Sequence, residues 1–295
     1  MIHAARRATI ALAAAALLLL SGCGGSLPYG IDGDLGDDWR EPPAPQSFKP
    51  AAHGCFDKME ADAPLGEYAP FECAERHVAE TFFVGDLPDG AGADRDKALT
   101  TAGTECSKRA DVFAGGEWRT AALRLQPVLP GKAGWAAGAR WYRCDLGQVE
   151  PGTDKVVSRA GTLKGALTGA APLRLRCFDP SVKDTNVSAM KPMPCDGPHH
   201  AEFTGLWDAP DVALDKLDGD KRMATGCRSS IAEYTGVPDD NNLQYRAGWL
   251  AFAPSRGEWA AGIRSVQCFL WLADDPMRKS FKDAGAGKLP IHYAG

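Results

Sequence analysis

Two histidine–glutamate pairs are the only repeated side chains in this sequence of a kind that catalyses or ligates: His77 with Glu80, and His199 with Glu202. An imidazole beside a carboxylate can hold zinc or pass a proton as acid and base. Each pair follows a cysteine at fixed spacing, in Cys73-x3-His77-x-Ala79-Glu80 and again in Cys195-x3-His199-x-Ala201-Glu202. Residues i and i+3 share a face on a helix but point to opposite faces of a strand. The residues that follow, Thr81-Phe82-Phe83-Val84 and Phe203-Thr204-Gly205-Leu206-Trp207, read as strands. A bulge would bring each pair together, but no third ligand is visible nearby. Cys73 and Cys195 offer no thiolate once oxidised. The expectation is structural, with no metal, no cofactor and no catalytic residue: histidine satisfies backbone groups at a strand entrance, and glutamate pairs with a base. Arg140 and Arg264, the repeated arginines, are the natural partners. This predicts Glu80–Arg140 and Glu202–Arg264 contacts.

Other chemistry is sparse. Trp135 and Trp259 are each followed by Ala-Ala-Gly, which suggests close backbone approach and packing rather than a ligand platform. His200 stands beside only one of the pairs, and His53 and His292 fall in an expected loop and tail. No Gly-x-Ser-x-Gly, phosphate loop, His-Glu-x2-His or dinucleotide fingerprint is present, and no Cys-x2-Cys supports thiol redox activity. Asn186-Val187-Ser188 fits the glycosylation acceptor pattern and reads as incidental.

Cysteine spacing reveals an internal duplication. There are nine cysteines. Cys55, Cys73, Cys106 and Cys144 are separated by 18, 33 and 38 positions, and Cys177, Cys195, Cys227 and Cys268 by 18, 32 and 41. Flanking residues repeat too. Cys55-Phe56-Asp57 matches Cys177-Phe178-Asp179, and Pro130-x4-Trp135-Ala136-Ala137-Gly138-x-Arg140-x3-Cys144 matches Pro254-x4-Trp259-Ala260-Ala261-Gly262-x-Arg264-x3-Cys268. Blocks in one order at near-equal spacing indicate two homologous domains, 52–147 and 172–275. Residues 148–171 read as a linker and 276–295 as a mobile tail.

The elements that must position these residues follow from periodicity. Leu173-Arg174-Leu175-Arg176-Cys177-Phe178 alternates as a half-buried strand. Leu99, Ala102, Cys106, Ala110 and Phe113 form a helical stripe, as do Met223, Cys227, Ile231 and Tyr234. Leu123-Arg124-Leu125 and Trp249-Leu250-Ala251-Phe252 read as third strands. Arg140-Trp141-Tyr142-Arg143-Cys144 and the stretch from Arg264 to Trp271 read as fourth strands. Each domain is then α+β: a mainly antiparallel sheet packed with one main helix and stapled by disulfides. Four cysteines allow three pairings per domain. The expected one joins first to fourth and second to third: Cys55–Cys144, Cys73–Cys106, Cys177–Cys268 and Cys195–Cys227.

The N-terminus carries an address. Arg6 and Arg7 precede an apolar run from Ala8 to Leu20, too short for a bilayer span of about 20 residues. Leu20-Ser21-Gly22-Cys23 then resembles a lipobox, so 1–22 reads as a lipoprotein signal peptide with lipidation at Cys23. Residues 23–51, rich in Gly, Pro and Asp, read as a flexible tether. Eight cysteines then remain, an even number that suits disulfides in an exported chain. The expected location is the outer face of the cytoplasmic membrane.

The chain has 295 residues, 44% hydrophobic and 24% charged, as expected of a globular protein. Residues 1–22 contain no acid, so removing Arg6 and Arg7 takes the formal charge from −5 to −7. An acidic balance without a basic stripe argues against nucleic acid as a partner.

Taken together, the Cys-x3-His-x2-Glu block, the mid-domain helical cysteine and the Trp-x2-Gly-x-Arg-x3-Cys block resemble the septum formation family of exported or lipid-anchored actinobacterial proteins. The resemblance covers both repeats and implies a role linked to cell division. It supplies no active site. One departure stands out: Glu75-Arg76 precedes the first histidine where Gly197-Pro198 precedes the second. The leading expectation is a non-enzymatic interaction or scaffold module with envelope protein partners. The alternatives are an extracytoplasmic metal-dependent enzyme using the His–Glu pairs, and a small-ligand binding protein with a cleft between the repeats.

Overall fold

A computed structural model describes residues 48–63, 68–183, 186–218 and 221–291. Cys23, the signal peptide, nearly all of the tether and His292 lie outside the described residues. Ser47–Gly295 forms one compact unit, so the stretches read from sequence as two domains share a packed seam.

The N-terminal sheet contains β1 (Cys55–Phe56), β2 (Asp62–Ala63), β3 (Ala79–Asp86), β4 (Leu123–Pro130), β5 (Trp141–Val149) and β6 (Val156–Val157). Its order is β1-β3-β5-β4-β2, with β6 on β5, and only β2–β4 is parallel. Helix α1 (Arg95–Ala114) lies on this sheet. Asp94 caps it by accepting from the Asp96 and Lys97 amides, and Gly115 ends it at φ 77°. Its buried face is made of small residues: Ala98, Ala102, Gly103, Cys106, Ala110 and Ala114. Short side chains let the helix lie close to the sheet. A short helix α2 (Lys132–Ala136) leads into β5.

The C-terminal sheet contains β7 (Cys177–Lys183), β8 (Asn186–Met193), β9 (Ala201–Asp208), β10 (Gly248–Phe252) and β11 (Ser265–Trp271), ordered β10-β11-β9-β7-β8 and antiparallel throughout. Helix α3 (Leu214–Asp218) precedes α4 (Lys221–Thr235), which packs on β9, β10 and β11, and α5 (Arg256–Ala260) leads into β11. The fold is thus α+β, with two mainly antiparallel sheets, one main helix on each, and four disulfides.

The disulfides differ from the pairing expected from sequence. They join Cys55–Cys73, Cys106–Cys144, Cys177–Cys195 and Cys227–Cys268. Sheet order explains why. Cys55 on β1 and Cys144 on β5 are separated by β3, and Cys177 on β7 and Cys268 on β11 by β9. Two strand spacings come to about 9.6 Å, beyond the Cα–Cα reach of about 7 Å for a disulfide. Cys106 instead sits on α1 directly over Cys144, and an antiparallel bridge between Cys55 and Phe71 draws Cys73 alongside.

Three further expectations are corrected. Leu173–Arg176 is not part of the strand, which begins at Cys177. The alternation there serves the other half of the molecule: Leu173 accepts from the Ala122 amide and the Leu175 amide donates to Thr120. The 148–171 segment is not a bare linker, because Leu163, Leu167 and Ala171 are buried in the core beneath α1. The 276–295 segment is not a free tail over its described part, because Met277 and Leu289 are buried against α4.

Seam contacts are close. An ideal Cβ on Gly103 of α1 would lie 2.0 Å from the Ala261 carbonyl oxygen, so only glycine fits at this crossing. Ile263 joins the N-terminal core and Ala122 the C-terminal one.

Candidate functional site

Each histidine–glutamate pair sits where an incoming segment meets its sheet. In the C-terminal half, the amides of Phe203 and His200, three residues apart, donate to the carbonyls of Arg176 and Phe178, two residues apart. The His199 strand therefore carries one extra residue, a bulge. The N-terminal half does the same, with the Thr81 and Val78 amides donating to Gly54 and Phe56. The extra residue turns an i,i+3 spacing into a same-face one. That is why two side chains that a regular strand would separate meet in the interior. His77 is 1% exposed, Glu80 4%, and His199 and Glu202 0%.

The two pairs differ in how they are satisfied. His199 Nδ1 lies 2.7 Å from the Gly197 carbonyl, and its Nε2 lies 2.8 Å from Glu202 Oε1. Both ring nitrogens face acceptors, so a proton lies between Nε2 and the carboxylate. Glu202 also accepts from Tyr234 Oη at 2.8 Å, Ser280 Oγ at 3.1 Å and the Phe281 amide at 3.0 Å. Burial, together with the Glu202 charge, pushes the Tyr234 hydroxyl above its ordinary range. His77 Nδ1 lies 2.8 Å from the Glu75 carbonyl, but its buried Nε2 has no hydrogen-bond partner among the described residues. Glu80 instead accepts from Thr162 Oγ1 and the Leu163 amide, both at 2.6 Å.

These contacts assign the pairs a common task. The backbone of His77 pairs with Arg159 and that of His199 with Met277. A few residues further on, Glu80 holds Thr162 and Leu163, and Glu202 holds Ser280 and Phe281. Histidine and glutamate together clamp the returning chain onto the sheet. Burial lowers the Arg159 guanidinium pKa, with the nearby Glu80 charge opposing that shift.

Metal chemistry was a sequence-level alternative. Donor atoms of Cys55, His77 and Glu80 do lie within 4.8 Å of one another, as do those of Cys177, His199 and Glu202. Both sulfurs, however, are bonded to Cys73 and Cys195. A disulfide sulfur is a poor ligand compared with a thiolate. Two donors remain in each group, and in the second they already satisfy each other. The donor set does not fit a resident metal.

The expected Glu80–Arg140 and Glu202–Arg264 contacts do not form. Each arginine folds back over its own tryptophan instead. Arg140 lies 4.2 Å from the Trp135 ring centroid and Arg264 4.3 Å from that of Trp259. Arg140 Nη1 donates to the Trp135 and Ala139 carbonyls, and Arg264 Nη1 to those of Trp259 and Ile263. Gly138 and Gly262 adopt φ of 91° and 86° between them. The Trp-x2-Gly-x-Arg block is thus a helix end leading into β5 or β11, and in the second copy Arg264 also pairs with Asp211 at 2.7 Å and Trp259 Nε1 donates to the Val212 carbonyl. His200 pairs with Asp179 at 2.7 Å, and His53 takes φ 70° while its amide donates to Thr81.

Asp145 and Arg119 are among the buried polar groups that the sequence reading did not single out. Asp145 is fully buried, takes two bonds from Arg143 at 3.0 and 2.7 Å, and accepts from Thr81 at 2.6 Å. Burial raises its pKa, against the lowering effect of Arg143 and Thr81. Arg119 crosses the seam to the Ser265 carbonyl, near Glu258. Burial lowers its pKa, with the Glu258 charge opposing. The Arg143-x-Asp145 spacing, same-faced on a strand, was a usable signal. Nothing local in the sequence marks Arg119.

Comparison with known proteins places this geometry in context. A family model described as septum formation matches residues 46–268. No curated protein matches the chain, and no solved structure does.

Proposed function

Because the chain belongs to the septum formation family, we propose that it acts at the cell envelope as a non-enzymatic interaction or scaffold module, in septum formation or cell-wall processes. The family match is the observation that carries this reading. Two features support the non-enzymatic part: the eight cysteines of the folded region are spent in disulfides, and the glutamate of each His–Glu pair holds the returning chain. In this proposal the folded region descends from two tandem copies of one unit. Equal disulfide patterns, equal bulges before β3 and β9, and the same arginine-over-tryptophan turn before β5 and β11 support it. The chain is held at the outer face of the cytoplasmic membrane by lipid on Cys23, and its partners are envelope proteins.

The test is a fluorescent fusion of the full chain in dividing cells of its own species. The reading expects a band at the division site and altered septa on depletion. Uniform envelope signal with normal division on depletion would oppose it. Cys23→Ala should release the protein from membranes, and continued membrane retention would sink the lipid anchor alone.

A further inference from the structure

The seam between the two sheets carries a half-open cleft of about 230 Å³, lined by Arg119, Arg124, Val149, Leu175, Phe252 and Glu258 among others. Arg119 is 7% exposed and Glu258 2%. Arg119 uses Nε and Nη2 on the Ser265 carbonyl, at 3.1 and 2.6 Å. Its Nη1 stands 3.9 Å from Glu258 Oε1, too far for a hydrogen bond. Glu258 is already taken up by the Leu125 amide at 3.2 Å and by the Ser255 amide and hydroxyl at 2.8 Å. A buried guanidinium is costly, and here Nη1 makes no hydrogen bond among the described residues. Arg124 lines the same cavity and pairs with Asp154, whose side chain is 76% exposed.

We propose that this cavity binds a small zwitterion of amino-acid or dipeptide size, distinct from both His–Glu clamps and independent of the septal reading. Its carboxylate meets Arg119 Nη1 and Arg124, in the geometry guanidinium groups favour. Its ammonium turns toward Asp154, whose exposed carboxylate stands at the rim. Two cations and two anions line the site, so a simple anion meets repulsion from Glu258 and Asp154, and a simple cation from the arginines. A zwitterion satisfies both signs. The volume equals that of about eight waters, enough for a ligand of amino-acid or dipeptide size. Val149, Leu175 and Phe252 supply an apolar wall for a short side chain.

The test uses the full chain and follows backbone amide shifts of residues lining the cavity during titration with L-alanyl-L-alanine. The expected result is saturable shifts at Leu123, Gly152 and Ala253, absent with the same peptide capped at both ends. Arg124→Gln should weaken binding about tenfold, the effect of losing about 1.4 kcal/mol, with an unchanged melting temperature. Arg119→Lys keeps the charge but not the fork and should weaken it as well. If Arg119→Lys fails to fold, Arg124→Gln decides. Equal binding of the capped peptide, an unaffected Arg124→Gln, or no saturable shift up to about 10 mM, well above a millimolar site, would each overturn the proposal.

Discussion

Glu202→Gln is the sharpest probe of the clamp. The carboxylate is fully buried and accepts from His199 Nε2, Tyr234 Oη, Ser280 Oγ and the Phe281 amide. An amide of the same shape retains one acceptor oxygen and replaces the other with an NH2 group that faces donors. Hydrogen bonds to charged groups contribute about 1.5–3 kcal/mol each. Removing one partner of a buried charged pair costs about 3–5 kcal/mol. The expected loss is therefore about 3–5 kcal/mol, a large part of the stability of an ordinary domain. Glu80→Gln is the internal control. Glu80 accepts from two donors and makes no hydrogen bond to His77, so about 1.5–3 kcal/mol is expected. Urea unfolding with disulfides intact measures both. Amide exchange at Met277 and Phe281 should accelerate in Glu202→Gln before global unfolding. A cost below about 1 kcal/mol for Glu202→Gln, or equal costs for the two variants, would refute the reasoning.

Two further outcomes follow from the packing. Asp145→Asn strands the buried Arg143 guanidinium and should cost about 3–5 kcal/mol. The double change Arg143→Gln with Asp145→Phe copies Gln267 and Phe269 of β11 and should recover most of that loss in the same urea assay. Gly103→Ala should destabilise although alanine favours helix by about 1 kcal/mol, because the added methyl meets the Ala261 carbonyl. A raised melting temperature would show that the α1 crossing yields.

Much of the fold was legible because it is local. The helical stripe through Cys106 and the strand patterns around Leu123 and Trp249 each report one face of one element. So do the duplicated blocks, which recur ahead of β5 and β11. What was not legible depends on sheet order. The disulfide pairing turns on β3 lying between β1 and β5, which no spacing encodes. The Glu80–Arg140 expectation failed for a similar reason: charge complementarity along the chain could not reveal that Arg140 was already committed to Trp135. Leu173 and Leu175 alternate as a strand would, yet their hydrogen bonds go to Thr120 and Ala122 across the seam. The β7–β8 hairpin was missed because Asn186–Met193 is mostly exposed and carries little apolar alternation. Of the candidate site, the meeting of histidine and glutamate was conditional on a bulge, and a bulge has no residue signature here.

The cysteines beside the His–Glu pairs are structural, bonded in disulfides and unavailable as thiolates. Peptide mapping of the mature protein without reduction tests this directly. The expected linkages are Cys55–Cys73, Cys106–Cys144, Cys177–Cys195 and Cys227–Cys268, with no free thiol among these eight. A free thiol at Cys55 or Cys177 would turn each clamp into a credible ligand set and contradict the scaffold reading.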